Sequence, residues 1–286
     1  MVAKINPPSD NSIDVINGAF SERKKFLAFY RSIKADYLTQ NQLYETARGC
    51  PSVVIPLDLA NYTSNNAEAE LRKTTLINLY SPKIDKIPYK ELEKIRKDNE
   101  LISCPMCGEP GRPRTLDHFL PKTEYPELAI NLLNLVPCCD WCQGEKKVEY
   151  ANAEGKRCYI HPYFDDVNFP LFKLTFKQPY ITPIINLVIY STIDDEMKGL
   201  IRTHLDGVGF FERFSSVFKT SYRSVLRMAS DSRISGNISL VESLNVALKL
   251  AEGKGINSWD AVLYRSVKED PQLIAFLQTA LLPNFL

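Results

Sequence analysis

The spacing of apolar positions changes character twice along the chain, at about residues 98 and 168. In the first region Phe26, Tyr30, Ile33 and Tyr37 recur every three or four residues. That spacing predicts an amphipathic helix, capped by Ser21 and running to about Arg48, where Gly49 and Pro51 end it. Residues 1–20 hold Pro7, Pro8, Asn11 and Gly18 and read as a loose arm. A second helix is expected over Glu68–Leu79, and Pro88 opens a third from Tyr89 to about Asp98. Between 99 and 168 the pattern shortens. Thr115–Leu120 reads as a strand stopped by Pro121, 122–133 as a connection with one helical turn near Pro126–Ile130, and Leu135–Val136 as a return strand. A helix follows from Cys142 to about Tyr150. Beyond 169, Leu171–Phe176 and Ile184–Tyr190 have strand composition, and Asp194–Leu205 fits either a helix or a short strand at its end. From Gly209 the period becomes helical again. Phe211, Phe214, Phe218, Tyr222 and Val225 form an aromatic stripe best read as core. Further helices are expected over Ile238–Ala251, Ser258–Lys268 and Pro271–Leu282. The pattern predicts a mostly helical α+β protein in three regions: 1–98, 99–168 and 169–286.

Composition narrows the class without naming a chemistry. Hydrophobic residues make up 44% and charged residues 24%, ordinary for a globular chain. No apolar run approaches the roughly 20 residues that cross a bilayer. The opening Met1-Val2-Ala3-Lys4-Ile5-Asn6 lacks the apolar core of a signal peptide, so a cytoplasmic location is expected and no membrane partner. Net charge is +1, and residues 101–150 carry five Lys/Arg against seven Asp/Glu. Any phosphate-binding charge must therefore come from a local patch, a metal or a partner. Arg23-Lys24-Lys25 is one such patch, or simply a solvated helix end.

Candidate chemistry is concentrated between Cys104 and Lys147. Seven cysteines, an odd number, with four in two Cys-x-x-Cys pairs, point to metal thiolates rather than a disulfide scaffold. Cys104/Cys107 and Cys139/Cys142 supply a complete tetrahedral Cys₄ set for a structural Zn²⁺. Cys138 competes with Cys139, although the two-residue spacing to Cys142 favours Cys139. The pairs bracket Asp117-His118, two residues that a strand directs to opposite faces. A histidine can take a proton from water near neutral pH, and a carboxylate can hold a hard cation. The plainer alternative is a structural hydrogen-bonding pair.

The order CxxC, L-D-H-F-L-P-K, N-L-V-P, CxxC and then a lysine resembles the zinc-stapled form of the HNH endonuclease family, over roughly 45 residues. The resemblance implies a ββα-metal finger around a catalytic Mg²⁺ or Mn²⁺, set between helical N- and C-terminal regions. It implies His118 as general base, Asp117 as first metal ligand, and Asn134 as the residue that orients His118, with Asn131 a competitor for that role. The family's third position, usually His or Asn, is Gln143 here. That departure makes His161, just past the finger, a candidate metal or phosphate group. A looser resemblance extends to the nuclease subunit of Septu-type anti-phage systems and related retron effectors. This implies a DNA substrate, with RNA left open, and an ABC-type ATPase partner. The alternative is a non-catalytic zinc-stapled module that binds nucleic acid or bridges partners.

Overall fold

The computed structural model of the chain describes residues 3–97 and 99–282. These form two compact units. One comprises Lys4–Leu101 and Arg112–Asp165, and the other Ile102–Gly111 and the chain from Asp166 onward.

The first unit opens with helix α1 (Ser12–Ser21) where a loose arm was expected. The Asn11 side chain accepts the N–H groups of Ile13 and Asp14, which starts the helix. Val15, Ile16, Ala19 and Phe20 then bury one face. Helix α2 (Leu27–Thr46) begins five residues later than expected, because Phe26 takes a left-handed φ of 59° and separates it from α1. Of the predicted face, Tyr30, Ile33 and Tyr37 are core and meet Ile16, Phe20, Leu76 and Ile130, whereas Phe26 precedes the helix and is 46% exposed. Helix α3 (Asn66–Ile77) is capped by Asn65, and α4 spans Tyr89–Lys97. Asp98, the expected end of α4, lies outside the described residues.

Strands β1 (Thr115–His118) and β2 (Leu135–Cys138) follow, paired antiparallel with Thr115 opposite Cys138 and His118 opposite Leu135. Helix α5 (Asp140–Lys146) starts before Cys142 and stops short of Tyr150, because Lys147 adopts a φ of 50°. A second small core joins α1, α4 and the hairpin through Val15, Leu92, Ile95, Leu116 and Leu135.

The second unit holds the other antiparallel pair, β3 (Phe172–Lys177) and β4 (Ile184–Ile189), in its own two-stranded sheet. Helices α6 (Asp195–Gly207), α7 (Phe210–Ser235), α8 (Leu240–Glu252), α9 (Trp259–Lys268) and α10 (Pro271–Thr279) complete it. The ambiguous stretch after Asp194 is helix, with the Asp194 carboxylate capping the Met197 N–H. In the stripe on α7, Phe214, Phe218, Tyr222 and Val225 are buried, but Phe211 is 40% exposed and Phe210 takes the inward place. The 102–111 knuckle is held within this unit. The Trp259 indole donates to the Cys107 carbonyl at 2.7 Å, and Arg213 pairs with Glu109. Among the described residues no helix is long and apolar enough to cross a membrane.

Candidate functional site

The Sγ atoms of Cys104, Cys107, Cys139 and Cys142 all lie within 4.8 Å of one another. This spacing fits a tetrahedral zinc site with four thiolates and no open position, which is a structural site. Cys138 is not a member. Its thiol lies 3.3 Å from the Thr115 hydroxyl, and burial raises its pKa. The choice of Cys139 over Cys138 follows from β2 ending at Cys138, so that the next residue turns into α5.

Asp117 and His118 sit side by side near the end of β1, both almost buried. The His118 Nε2 lies 3.0 Å from the Ala129 carbonyl oxygen. A carbonyl only accepts, so Nε2 carries the proton and Nδ1 is the basic nitrogen. The Tyr80 ring meets the imidazole edge-on at 4.5 Å, and the Lys122 ammonium lies 4.3 Å from the Tyr80 ring centre. Burial lowers the His118 pKa to about 3, with the Ala129 carbonyl pulling the other way and Lys122 and Lys146 adding to the depression. At neutral pH the ring is uncharged.

The Asp117 carboxylate has a partner that the sequence did not announce. Lys146 Nζ lies 2.9 Å from its Oδ2 and donates to the His118 carbonyl at 3.0 Å. Lys146 is 1% exposed. Burial raises the Asp117 pKa, opposed by the Lys146 charge. The available signal was helical spacing: Lys146 follows Cys142 by four residues on α5 and so shares its inward face.

Asn134 ties together both flanks of His118. Its Oδ1 accepts the Leu120 N–H at 2.8 Å, and its Nδ2 donates to the carbonyls of Leu120 and Leu128. Asn131 fixes the same connection from the other side. Its Oδ1 accepts from Leu133 and Asn134, and its Nδ2 donates to Asn41 Oδ1 at 2.9 Å. Gln143 uses its amide nitrogen on the Leu116 carbonyl at 3.1 Å. His161 is fully enclosed. Its Nδ1 accepts the Tyr163 N–H, and its Nε2 lies 2.9 Å from the Tyr44 hydroxyl. Its ring lies against Phe119, 4.1 Å between centres. These contacts leave His161 beside the residue that follows His118, with neither nitrogen turned toward Asp117.

Comparison with known proteins places parts of this chain beside two others. Over 108 residues, 33% of the chain, it is 39% identical to Protein ea31 of Escherichia phage lambda. Over 93 residues, 31% of the chain, it is 35% identical to Septu protein PtuB of Bacillus thuringiensis. The matches cover 36% and 35% of those proteins, so the chain spans about a third of the length of the curated relatives it matches. No family profile and no solved structure matches the chain.

Proposed function

We propose that this chain is a metal-dependent HNH endonuclease acting on DNA in anti-phage defence, with region 99–168 as its ββα-metal module. The observation that carries the reading is the imidazole of His118. It is neutral, fixed in one tautomer by the Ala129 carbonyl, and framed by a connection that Asn134 holds rigid. Phosphodiester hydrolysis needs a base for the attacking water and a cation for the charge that builds on phosphate. His118 Nδ1 takes the water proton. Asn134 acts through the backbone, keeping residues 120 and 128 in place so that the imidazole does not turn. His161 packs against Phe119, the residue after His118, a positioning role.

The Asp117 carboxylate beside His118 is an oxygen donor, which suits a hard cation, and Gln143, bonded to the Leu116 carbonyl through its amide nitrogen, offers a side-chain carbonyl as a second candidate. Asp117 would hold Mg²⁺ or Mn²⁺, which would act as a Lewis acid on the phosphate. The Lys146 ammonium opposes the rise that burial imposes on the carboxylate's pKa. The partial identity to Septu protein PtuB supports the defence role and a protein partner, for which an ABC-type ATPase is our candidate.

The test is plasmid incubation with Mg²⁺ or Mn²⁺, comparing wild type with His118→Ala. We expect cutting by the wild type and a loss of about 10²–10⁴-fold in the variant, the range for removing a general base. A non-catalytic binding module would retard the plasmid and leave it whole in both cases.

A further inference from the structure

A nuclease must approach a polyanion, yet residues 101–150 are slightly acidic. The first unit carries concentrated positive charge elsewhere, in the corner where α1 turns into α2. Arg23, Lys24, Lys25, Lys83 and Lys86 line one pocket of ≈ 490 Å³. Glu22 also lines it, but its carboxylate accepts the Ile87 N–H at 3.1 Å and is committed to the backbone. Lys24, Lys25 and Lys83 take part in none of the ion pairs seen among the described residues.

Two further features share this pocket. Phe26, in its left-handed conformation, precedes α2 and lines the pocket at the turn from α1. Tyr30, 4% exposed, also lines it, and its hydroxyl lies beside the Arg23 guanidinium, with the Arg72 charge also felt there. Ammonium and guanidinium groups around one pocket make a donor set for a tetrahedral oxyanion.

We infer that this pocket seats a backbone phosphate of the nucleic acid. The choice of DNA over other phosphates rests on the nuclease reading above; the anion site itself rests on the pocket. The site supplies register and charge without reading bases, as phosphate contacts do.

The experiment is fluorescence anisotropy of a short labelled duplex with the full chain, so that binding is read and cutting is not. Lys24→Ala/Lys25→Ala/Lys83→Ala should weaken binding at least about tenfold, and should flatten log K against log salt by about 0.9 for each phosphate no longer neutralised. Lys219→Ala, an exposed lysine of α7, should leave binding unchanged. His118→Ala should bind as the wild type does, which separates this inference from the catalytic one. Binding that survives the triple substitution, or a wild type that binds no duplex, overturns it. Inorganic phosphate or ATP that displaces the duplex from the wild type at equal or lower concentration would reassign the pocket to a free phosphate compound and overturn the DNA seat.

Discussion

The two antiparallel hairpins of this protein are built on opposite principles. In β3–β4, Phe172, Leu174 and Phe176 are buried while Lys173, Thr175 and Lys177 lie partly or fully in solvent. One face lies on α9, where Ser266 Oγ accepts the Leu174 N–H. This sheet is specified by its two-residue period. In β1–β2 the period is absent, because seven of the eight strand residues are buried. Side chains take the place of further strands. The Leu116 carbonyl accepts from Tyr80 and Gln143, the Leu135 carbonyl from Tyr163, and the Cys138 carbonyl from Thr115. A hairpin stabilised by pattern tolerates exchange of its polar residues. A hairpin stabilised by individual ties does not, and it is the one that holds Asp117 and His118.

The largest expected effect separates the two by metal. Structural zinc in small sites contributes on the order of 10 kcal/mol to folding. Cys142→Ser, or stripping of zinc by a strong chelator, should abolish the cooperative melt of the region around β1–β2. Zinc content by elemental analysis, read alongside a thermal melt, checks this. Full retention of stability without zinc would show that the four thiolates do not bind it.

Next in size is the ion pair under β1. Removing one partner of a buried pair typically costs about 3–5 kcal/mol, because the other charge is stranded. Lys146→Met should lower stability by that order in a denaturant titration. Asp117→Asn/Lys146→Met should recover part of the loss, since no charge then remains. Equal stability of the single and double variants would place Lys146 in solvent exchange, contrary to its burial.

The patterned hairpin should respond differently. Leu174→Ala empties a site in a well-filled core and should cost about 2–5 kcal/mol. Cleavage per folded molecule, where cleavage is seen, should stay at the wild-type level. A specific loss of cutting from this substitution would erase the contrast between the hairpins.

What the sequence disclosed follows the same division. Periodicity found β3–β4 and the helices after α1, with ends displaced by a few residues where a left-handed residue intervened, as at Phe26, but it missed α1, which Asn11 caps where a loose arm was expected. It placed Phe211 inward, where Phe210 is found, because adjacent aromatics one step apart on a helix are not resolved by a three-or-four spacing. Two Cys-x-x-Cys pairs were sufficient to indicate the thiolate cluster. The ties inside the connection were not legible. The pairing of Asn131 with Asn41, the enclosure of Glu127 and the choice of Asp117 as partner for Lys146 depend on residues tens of positions apart, for which a single sequence carries no period.

Glu127, at the centre of that connection, gives the finest discrimination. It is completely enclosed; one oxygen accepts the Leu57 N–H at 3.1 Å, and the other has no partner among the described residues. Burial raises its pKa to about 7, with backbone N–H groups opposing. The folded protein therefore holds a proton that the unfolded chain, titrating near 4.5, releases. Through the window from about 4.5 to about 7 the native state binds more protons, so stability falls as pH rises, by about 3 kcal/mol across the window. Above it the loss levels off, because both states are then ionised. Glu127→Gln cannot ionise and should flatten this slope while leaving the low-pH stability close to the wild-type value. Denaturant midpoints at a series of pH values read the difference directly. A slope that persists in the glutamine variant would move its origin to another group and leave Glu127 ionised in the fold. Its second oxygen would then need a donor, and the nearest candidate is the Tyr37 hydroxyl. That hydroxyl also lacks a partner, and the Glu127 charge raises its pKa after burial does. Tyr37→Phe would then raise the Glu127 pKa further and steepen the same curve.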